Sequence, residues 1–276
     1  MRLPTDDRKD DLFKLGISDP RLIVKDDEVF IRMTWAERLQ HMVLITCFLL
    51  LVLTGLPLLF DPTVWLQRLF FFEGSFNLRG IIHRTAGVGL ILLSFFHVGY
   101  MSITRRGRAN LAALMPRLKD ITDAIESFNH NLGVMSWLYR RGKFMAFFQK
   151  YPYWRFEAPP KYGRYNFIEK FEYLALVWGT LVMILTGFFL WANNLALRIF
   201  PLWVIDIFRI IHSYEAVLAF LSIIIWHLYN VHLNPEVFPM SRVWIDGKIN
   251  GHELRTLHPL EYEDLVKKRL DEGRFP

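Results

Sequence analysis

Long apolar runs separated by charged stretches form the main pattern along the chain. Three runs contain no charged residue: Leu39–Phe60, Thr85–Thr104 and Tyr173–Leu197. The fourth run, Ile210–Val231, contains Glu215 as its one charged residue. Each run is close to the ~20 residues with which a helix crosses ~30 Å of hydrocarbon. The pattern therefore predicts an all-α membrane protein, built as a bundle of four transmembrane helices.

The same pattern sets the predicted boundaries. A charged N-terminal segment covers 1–34, the membrane domain 35–232 and a polar tail 233–276. The first apolar run is too long for the core of a signal peptide, so we predict that it stays as a helix. Within the membrane domain the predicted spans lie at about 39–60, 81–104, 172–197 and 209–231.

The connecting segments have patterns of their own. Residues 118–139, between the second and third spans, have the periodicity of an amphipathic helix at a membrane surface. The aromatic, basic and proline-broken stretch 150–166 predicts a loop. Residues 246–269 of the tail predict a short helix.

The distribution of Lys and Arg predicts the orientation of the spans. Residues 1–38, 105–170 and 232–276 together hold 28 of these residues, whereas the short connections 61–79 and 192–209 hold four. Basic residues favour the cytoplasmic side. We therefore predict an N-in, C-in multi-pass protein of the bacterial cytoplasmic (inner) membrane, with the amphipathic segment cytoplasmic. The net charge of +6 reflects this topology and contact with membrane lipids, and it does not indicate nucleic acid.

Cysteine usage restricts the cofactors that the chain itself can hold. Cys47, the one cysteine, cannot form an internal disulfide, ligate an iron–sulfur cluster by itself or attach a haem covalently through C-x-x-C-H. The sequence has no glycine-rich phosphate loop and no nucleophile–base pattern. We predict no catalytic residue, and any redox cofactor must be held by other side chains.

The four spans repeat in pairs. "ERLQHMVLITCFLLLVLTG" at 37–55 aligns without a gap with "EKFEYLALVWGTLVMILTG" at 169–187. "GIIHR" at 80–84 resembles "RIIHS" at 209–213. The pattern indicates two copies of one helical hairpin. Glycines in these spans either admit a flat macrocycle or serve small-residue helix packing: Gly55, Gly187, Gly87 and Gly89.

Five of the nine histidines lie within the spans or at their ends: His41, His83, His97, His212 and His227. A span histidine is often a packing or hydrogen-bonding residue, but five arranged by depth favour a common role. His83 and His97 are 14 residues apart and His212 and His227 are 15 apart, so each helix presents two imidazoles at depths ~21 Å apart, roughly on one face. Neutral imidazole ligates haem iron, whereas zinc needs four ligands at one site. The histidines predict two non-covalent, bis-histidine b-type haems.

The predicted topology assigns ligands to each depth. His83 and His212 form the outer pair, because no other span histidine lies at that depth. At the inner depth His41, His97 and His227 compete for two axial positions. The repeat symmetry favours His97 with His227, as in the cytochrome b of quinol-oxidising bc-type complexes.

Polar residues near the predicted haems have two readings each. Arg79 and Arg84 flank His83 and either pair with haem propionates or extend to interfacial water. Glu215 follows His212 by one turn and either passes protons at an outer quinone site or is stabilised by the helix N-terminus, the reading we favour. Asn166 opens the third span and by itself could be a helix cap.

A family resemblance bears on the inner ligands. It is carried by the stretches "ERLQH…LTG", "IIHR…G", "RYNFIEK…LTGFFLW", "HLY" and "DGKINGHELRTLHP". Through them the chain over about 35–275 resembles the gamma, or cytochrome b, subunit of respiratory formate dehydrogenases and the related dihaem cytochrome b of nickel–iron hydrogenases. In that family the first and second helices each supply one haem ligand and the fourth supplies two. Carried over, these are His41, His83, His212 and His227, so we predict His41 rather than His97 at the inner haem. His97 has no counterpart in the family's best-known members, and the fourth helix has one additional residue between its histidines.

The resemblance also implies a function. It implies electron transfer between a periplasmic redox subunit, either an iron–sulfur protein or a multihaem cytochrome c, and the membrane quinone pool. It places the quinone near the inner haem and Asn166. Two alternatives are a transmembrane reductase acting alone and a haem-free membrane anchor.

Overall fold

A computed structural model of the chain describes residues 24–59, 76–151 and 158–272. The side chains of residues 76, 77, 270 and 272 are outside this description. The described residues divide into two compact units. The membrane unit contains Arg32–Ala112 and Phe171–Gly247, and the polar unit contains the described parts of Met1–Ile31, Ala113–Lys170 and Lys248–Pro276. The domain boundaries drawn from hydropathy stay predictions.

Helices make up most of the described chain, and two short strands accompany them. The first elements in chain order are β1 (Val29–Ile31), α1 (Trp35–Gly55), α2 (Phe76–Ile103), α3 (Arg105–Leu114), α4 (Leu118–Leu132), α5 (Val134–Arg140) and α6 (Met145–Lys150). They are followed by α7 (Phe167–Trp191), α8 (Asn193–Ile199), α9 (Leu202–Leu221), α10 (Val243–Asp246), β2 (Lys248–Asn250), α11 (Gly251–Leu257) and α12 (Pro259–Glu272).

Four helical stretches are long and apolar enough to cross a membrane, which confirms the predicted fold class. They are Trp35–Leu59, Leu78–Ile103, Phe167–Trp191 and Leu202–Leu233. The first consists of α1 and a 3₁₀ turn, Leu56–Leu59. The fourth begins earlier than the hydropathy indicated, because Leu202 directly follows the N-cap Pro201.

The fourth span changes its winding near its end. After α9 the chain continues as π-helical turns over Ser222–His227 and Tyr229–Leu233. A π-helical turn holds more residues than an α-helical turn and occurs frequently at functional sites. The span therefore continues through these wider turns to Leu233.

Matching capping boxes begin the first and third spans. Thr34 Oγ1 accepts a hydrogen bond from the Glu37 amide, and a Glu37 carboxylate oxygen accepts one from the Thr34 amide at 2.7 Å. Asn166 and Glu169 repeat this exchange before α7, at 2.8 Å in both directions. Each box satisfies two amide groups that a helix start leaves without partners. The repeat seen in the sequence therefore includes the helix starts.

The polar unit has its own small core. β1 and β2 pair antiparallel, with Phe30 opposite Ile249. The buried side chains of Val24, Leu254, Tyr262 and Val266 pack together, with Phe30 and Leu265 against them.

The connecting segments follow the predictions only in part. The amphipathic segment 118–139 is helical, but Gly133, in the left-handed region at φ 64°, divides it into α4 and α5. The tail, predicted to hold one short helix, holds α11 and α12 after β2. Of the predicted loop 150–166, residues 158–166 contain neither helix nor strand, and residues 152–157 lie outside the described residues.

Candidate haem-binding site

Each transmembrane hairpin has a ladder of three contacts spaced by about two helical turns. The first hairpin is formed by α1 and α2. Its α1 members are buried and evenly spaced at about two turns, so they share one face of the helix: Gln40, Cys47 and Thr54. Their partners on α2, in the same order, are His97, Gly89 and His83.

The second hairpin, formed by α7 and the fourth span, has the same ladder at the positions that the sequence repeat aligns with the first. Its α7 members are Glu172, Gly179 and Thr186. Their partners, in the same order, are His227, Glu215 and His212. The repeat seen in the sequence is therefore a repeat of three-dimensional contacts as well. We keep the names outer and inner for the two histidine depths.

Threonine hydroxyl groups determine which nitrogen of each outer histidine is free. Thr54 Oγ1 lies 2.9 Å from His83 Nδ1 and donates its hydrogen to the Leu50 carbonyl at 2.5 Å. A hydroxyl group has one hydrogen, so Thr54 must accept from Nδ1–H. The lone pair of His83 is then on Nε2, the nitrogen available to a metal.

His212 is held in the same way. Thr186 Oγ1 lies 2.9 Å from His212 Nδ1 and donates to the Val182 carbonyl at 2.7 Å. The two hairpins therefore present two histidines with the same tautomer and the same free nitrogen.

The spacing of the outer histidines fits one shared iron. The ring centroids of His83 and His212 are 6.4 Å apart, with 64° between the ring planes. Metal–imidazole nitrogen bonds of about 2 Å, with about 1 Å more from each nitrogen to its ring centroid, give centroids about 6 Å apart. Two imidazoles bound to one iron would therefore have about the spacing of the observed pair.

Glycines make room for these histidines. A Cβ atom at Gly55 would lie 3.1 Å from His83 Cε1, and one at Gly187 would lie 3.1 Å from His212 Cε1. Both distances are tighter than ordinary van der Waals contact. The matched Thr-Gly pairs thus act together, because the threonine orients the imidazole and the glycine admits it. Gly89 receives Cys47, where a Cβ atom would lie 3.0 Å from Sγ, and Gly87 has no side chain within 4 Å of such an atom.

At the inner level both ring nitrogens of His97 have side-chain partners. His97 Nδ1 lies 2.9 Å from Gln40 Oε1, and Gln40 Nε2 donates to the Ala36 carbonyl. Nδ1–H is therefore the donor to Gln40. His97 Nε2 lies 3.2 Å from the hydroxyl of Tyr173 and must accept its hydrogen. The lone pair that a metal would need is thus already used.

His227 has a different arrangement. Its Nδ1 lies 3.1 Å from Glu172 Oε2, so Nδ1–H donates to a carboxylate and Nε2 carries the lone pair. Glu172 Oε1 is buried and has no hydrogen-bond partner among the described residues.

His41 is close to His227 and incompletely bonded. The two imidazoles are near enough to interact electrostatically. His41 Nδ1 is buried without a hydrogen-bond partner within the described chain, and the Trp244 ring lies edge-on with its centroid 6.2 Å away. A buried nitrogen of this kind indicates a missing bonded group. The residues at both levels thus fit haem, with His41 and His227 as the inner pair that has lone pairs to offer.

Each histidine pair brings together two candidate ligands. Within residues 24–59, 76–151 and 158–272, no three His, Cys, Asp or Glu side chains come together to hold a metal ion. Two protein ligands suit a haem iron, which has further ligands from its porphyrin.

The remaining sequence-predicted residues lie in different surroundings. Arg79 and Arg84 are both within electrostatic range of His83, and the Arg84 guanidinium lies 5.7 Å from the centre of the Trp191 ring. Glu215 lies against Gly179, where a Cβ atom would be 2.7 Å from Oε1.

The interpretation of Glu215 as a carboxylate at a helix N-terminus is wrong. The helix that carries it, α9, begins at Leu202, so Glu215 lies in the later part of α9. Stabilisation by a helix end reaches only the first turn, and Glu215 is well beyond it.

Asn166 lies in the polar unit, where its side chain caps α7 as described above. Its proposed contact with quinone stays a prediction.

A cavity of about 450 Å³ lies beside the turn of α1 that carries His41. Arg38, one of its lining residues, has a buried Nε without a hydrogen-bond partner among the described residues. Its lining is mostly apolar: Trp35, Arg38, Leu39, Met42, Trp244 and Ile245.

Several supporting residues were absent from the sequence prediction: Thr54 and Thr186 as hydrogen-bond partners, and Gln40, Glu172 and Tyr173. The ungapped repeat contains a signal for them, because it aligns α1 with α7 at all three ladder positions. The partners of these residues required the fold.

Comparison with known proteins defines the class. The model of the prokaryotic cytochrome b561 family matches residues 32–239, and the chain belongs to this family. It is therefore a multi-pass bacterial membrane protein and a membrane cytochrome b electron-transfer subunit, with haem of the b type.

Individual relatives narrow the resemblance. The chain is 21% identical over 251 residues to the cytochrome b556(Fdn) subunit of the nitrate-inducible formate dehydrogenase of Escherichia coli, covering 89% of this chain and 98% of that one. It is 23% identical over 231 residues to the cytochrome b556(fdo) subunit of formate dehydrogenase from the same species, covering 83% and 85%. It is 22% identical over 264 residues to the formate dehydrogenase cytochrome b556 subunit of Haemophilus influenzae, covering 91% and 90%. These similarities confirm the resemblance drawn from the sequence motifs.

Proposed function

We propose that this cytochrome b holds two b-type haems and transfers electrons between a periplasmic redox subunit and membrane quinone. The observation that carries the proposal is the pair His83 and His212, at iron-sharing distance with both Nδ1 atoms occupied by threonine. The names of its relatives, cytochrome subunits of formate dehydrogenases, support a place within a larger complex.

The inner haem is proposed to use His41 and His227. The argument rests on which histidine has a nitrogen lone pair available for iron. Both ring nitrogens of His97 are hydrogen-bonded, one to Gln40 and the other to Tyr173. The repeat also supports it, since Tyr173 is the residue that the ungapped alignment places opposite His41. Tyr173 faces His97, and the equivalent neighbour of His227 is His41.

The chain's own residues bind and orient in this function. The haems supply one-electron chemistry at their irons. Thr54 and Thr186 fix the tautomers of the outer ligands, and Gly55 and Gly187 admit the imidazoles. Arg79 and Arg84 place positive charge near His83, where propionates would pair with them.

The basic residues support the proposed orientation. With both termini cytoplasmic, His83 and His212 lie toward the periplasm, on the side of the redox subunit. The partner is proposed to be an iron–sulfur or multihaem cytochrome c subunit, and the membrane is the bacterial inner membrane. Reporter fusions at the C-terminus test the orientation, and activity from a periplasmic reporter would contradict it.

The quinone is proposed to bind at the inner level. The cavity beside His41 has the size and apolar lining typical of small-molecule sites, and the guanidinium of Arg38, a lining residue, would provide a donor for a quinone carbonyl. Trp244→Ala should weaken quinone binding, measured as KM for a soluble quinol analogue, without loss of haem. Unchanged KM would move the quinone away from this cavity.

Haem content tests the proposal as a whole. The purified chain, expressed with excess haem, should give two b haems per polypeptide by the pyridine haemochrome assay. One haem would contradict the two-level arrangement, and no Soret absorbance would indicate a haem-free anchor. Electron transfer to an outside acceptor by the purified single chain would favour the stand-alone reductase.

A further inference from the structure

The proposed haem ligands receive hydrogen-bond partners of different charge. His83 and His212 donate from Nδ1 to neutral threonine hydroxyl groups. His227 donates from Nδ1 to the carboxylate of Glu172, at 3.1 Å. The two proposed haem positions therefore differ in the charge of the groups that hydrogen-bond to their ligands.

A carboxylate partner changes the iron through the imidazole. A hydrogen bond to an ionised acceptor is roughly twice as strong as a neutral one, and it draws the Nδ1 proton toward the carboxylate. The opposite nitrogen, Nε2, then becomes a stronger electron donor to a metal. Donation and nearby negative charge both favour the oxidised iron over the reduced iron, so they lower the reduction potential.

The surroundings of Glu172 preserve this influence. Its second oxygen, Oε1, is buried and has no hydrogen-bond partner among the described residues. The hydrogen bond to His227 is thus the described contact through which this carboxylate acts. The Glu172 side chain is only partly exposed, so its charge is less screened than a charge in bulk water.

We propose that Glu172 tunes the inner haem, lowering its reduction potential through His227. The inference rests on the proposed function, because it requires His227 to be a haem ligand. The redox step adds one electron to the inner iron, supplied by the cytochrome's electron-transfer chain. No bond is made or broken at Glu172, and no proton moves.

The first hairpin contains a natural counterpart of this contact. Gln40 is the residue that the repeat aligns with Glu172, and it accepts from Nδ1 of His97, which the proposal leaves without iron. The carboxylate is therefore present where a ligand is proposed, and a neutral amide is present at the equivalent non-ligand histidine. This contrast provides a matched control.

The test is a potentiometric titration of the haem-loaded, full-length chain. His83→Ala identifies the outer haem as the species that is lost. Glu172→Gln keeps the size and the acceptor but removes the charge, so the inner haem should become easier to reduce. We expect about a tenfold change in its reduction equilibrium, which is about 59 mV for one electron. The outer potential should not change, and Glu172→Asp should restore part of the shift.

The control separates failure of this inference from failure of the ligand assignment. Gln40→Glu places a carboxylate on His97, which lies off the proposed iron, so any decrease in the inner potential should come from charge alone and be clearly smaller than the Glu172 effect. A decrease as large as the Glu172 effect would mean that His97 is a ligand. Retention of both haems in His227→Ala would overturn the assignment of His227 and, with it, this inference.

Two results for Glu172 itself would overturn the tuning role. The first is two haems with unchanged potentials in Glu172→Gln. If that variant instead loses the inner haem, Glu172→Asp decides, because its displaced carboxylate should still raise the potential. An unchanged potential in Glu172→Asp would then mean that Glu172 only holds the fold.

Discussion

The two transmembrane hairpins share a framework and differ at the inner level. In both, a Thr-Gly pair holds an outer histidine, with hydrogen bonds of the same length, 2.9 Å. At the inner level Gln40 and Tyr173 occupy the two nitrogens of His97, whereas Glu172 occupies one nitrogen of His227. A duplicated hairpin thus offers two equivalent inner positions, and in the proposed arrangement a few side chains decide which one is available to haem.

The comparison explains why the outer and inner levels have different symmetry. The outer histidines, His83 and His212, come from equivalent places in the two hairpins, so the proposed outer haem would have two equivalent ligands. The proposed inner ligands, His41 and His227, come from places that are not equivalent in the two hairpins. The equivalent pair is Tyr173 and His97, and there a hydrogen bond of 3.2 Å joins the two residues directly.

The largest effect should come from removing the ligand that distinguishes the hairpins. His41→Ala should lose the inner haem entirely, leaving one haem per chain, because alanine has no lone pair to offer the iron. His97→Ala is the matched control and should keep both haems. Pyridine haemochrome assays on both variants provide the measurement. Loss of a haem in His97→Ala alone would establish the symmetric pairing of His97 with His227.

The next largest effect should appear at the outer level, where the two hairpins have the same threonine–histidine contact. Thr186→Val keeps the shape of the side chain but removes the acceptor for His212 Nδ1–H. Outer-shell partners of this kind typically contribute roughly 10–100-fold to ligand-site affinity. Haem titration of the apoprotein should show outer-haem affinity weakened by about that factor, with the inner haem unaffected.

Thr186→Ser, which keeps the hydroxyl, should retain most of this affinity. Thr54→Val should weaken the same haem by a similar factor, because Thr54 supports the other ligand. Equal affinity in the valine and serine variants would show that the hydroxyl groups do not act through the histidines.

A smaller effect is expected at the matched helix starts. Asn166 and Thr34 are equivalent capping residues in the two copies of the repeat. Asn166→Thr keeps a capping oxygen and removes the amide. If Asn166 contacts quinone, this variant should slow quinone turnover about tenfold, as loss of one hydrogen bond to a bound group does, while both haems remain. Steady-state assays with a quinol analogue provide the measurement.

Asn166→Ala separates capping from binding. It loses the cap as well, which costs about 1 kcal/mol of helix stability. Normal turnover in Asn166→Thr with a defect in Asn166→Ala would mean that the residue only caps α7.

Much of this architecture was predictable from the sequence, because periodicity and composition report on helices directly. The four spans, the repeat and the family resemblance are confirmed. The start of the fourth span was missed, since Leu202 to Ile207 includes Asp206 and lowers the local hydropathy. The break at Gly133 was also missed, because a left-handed glycine inside an amphipathic pattern leaves the pattern intact.

The candidate site was less predictable. Histidine positions are visible in a sequence, but the free lone pair of a histidine depends on partners contributed by other helices. Gln40 is 57 residues from His97, and Tyr173 is 76 residues from it. The symmetry argument for His97 used spacing alone. It could not include the hydrogen bonds that occupy this residue, and the choice of inner ligand stays a prediction supported by them.

The smallest expected effect concerns the hydrogen bond between Tyr173 and His97, the pair that is equivalent to His41 and His227. Tyr173→Phe removes the hydroxyl that donates to His97 Nε2 and keeps the aromatic ring. His97 is only partly buried, so the unpartnered acceptor should cost less than the roughly 1–3 kcal/mol of a fully buried one, and thermal unfolding should occur at most a few degrees lower. Haem content should stay the same, because His97 serves no iron in the proposed arrangement. If Tyr173→Phe instead binds an additional haem, the tyrosine hydroxyl is what keeps the second position closed. If it loses one, the His97 network belongs to the inner haem site and the two hairpins are less distinct than their hydrogen bonds indicate.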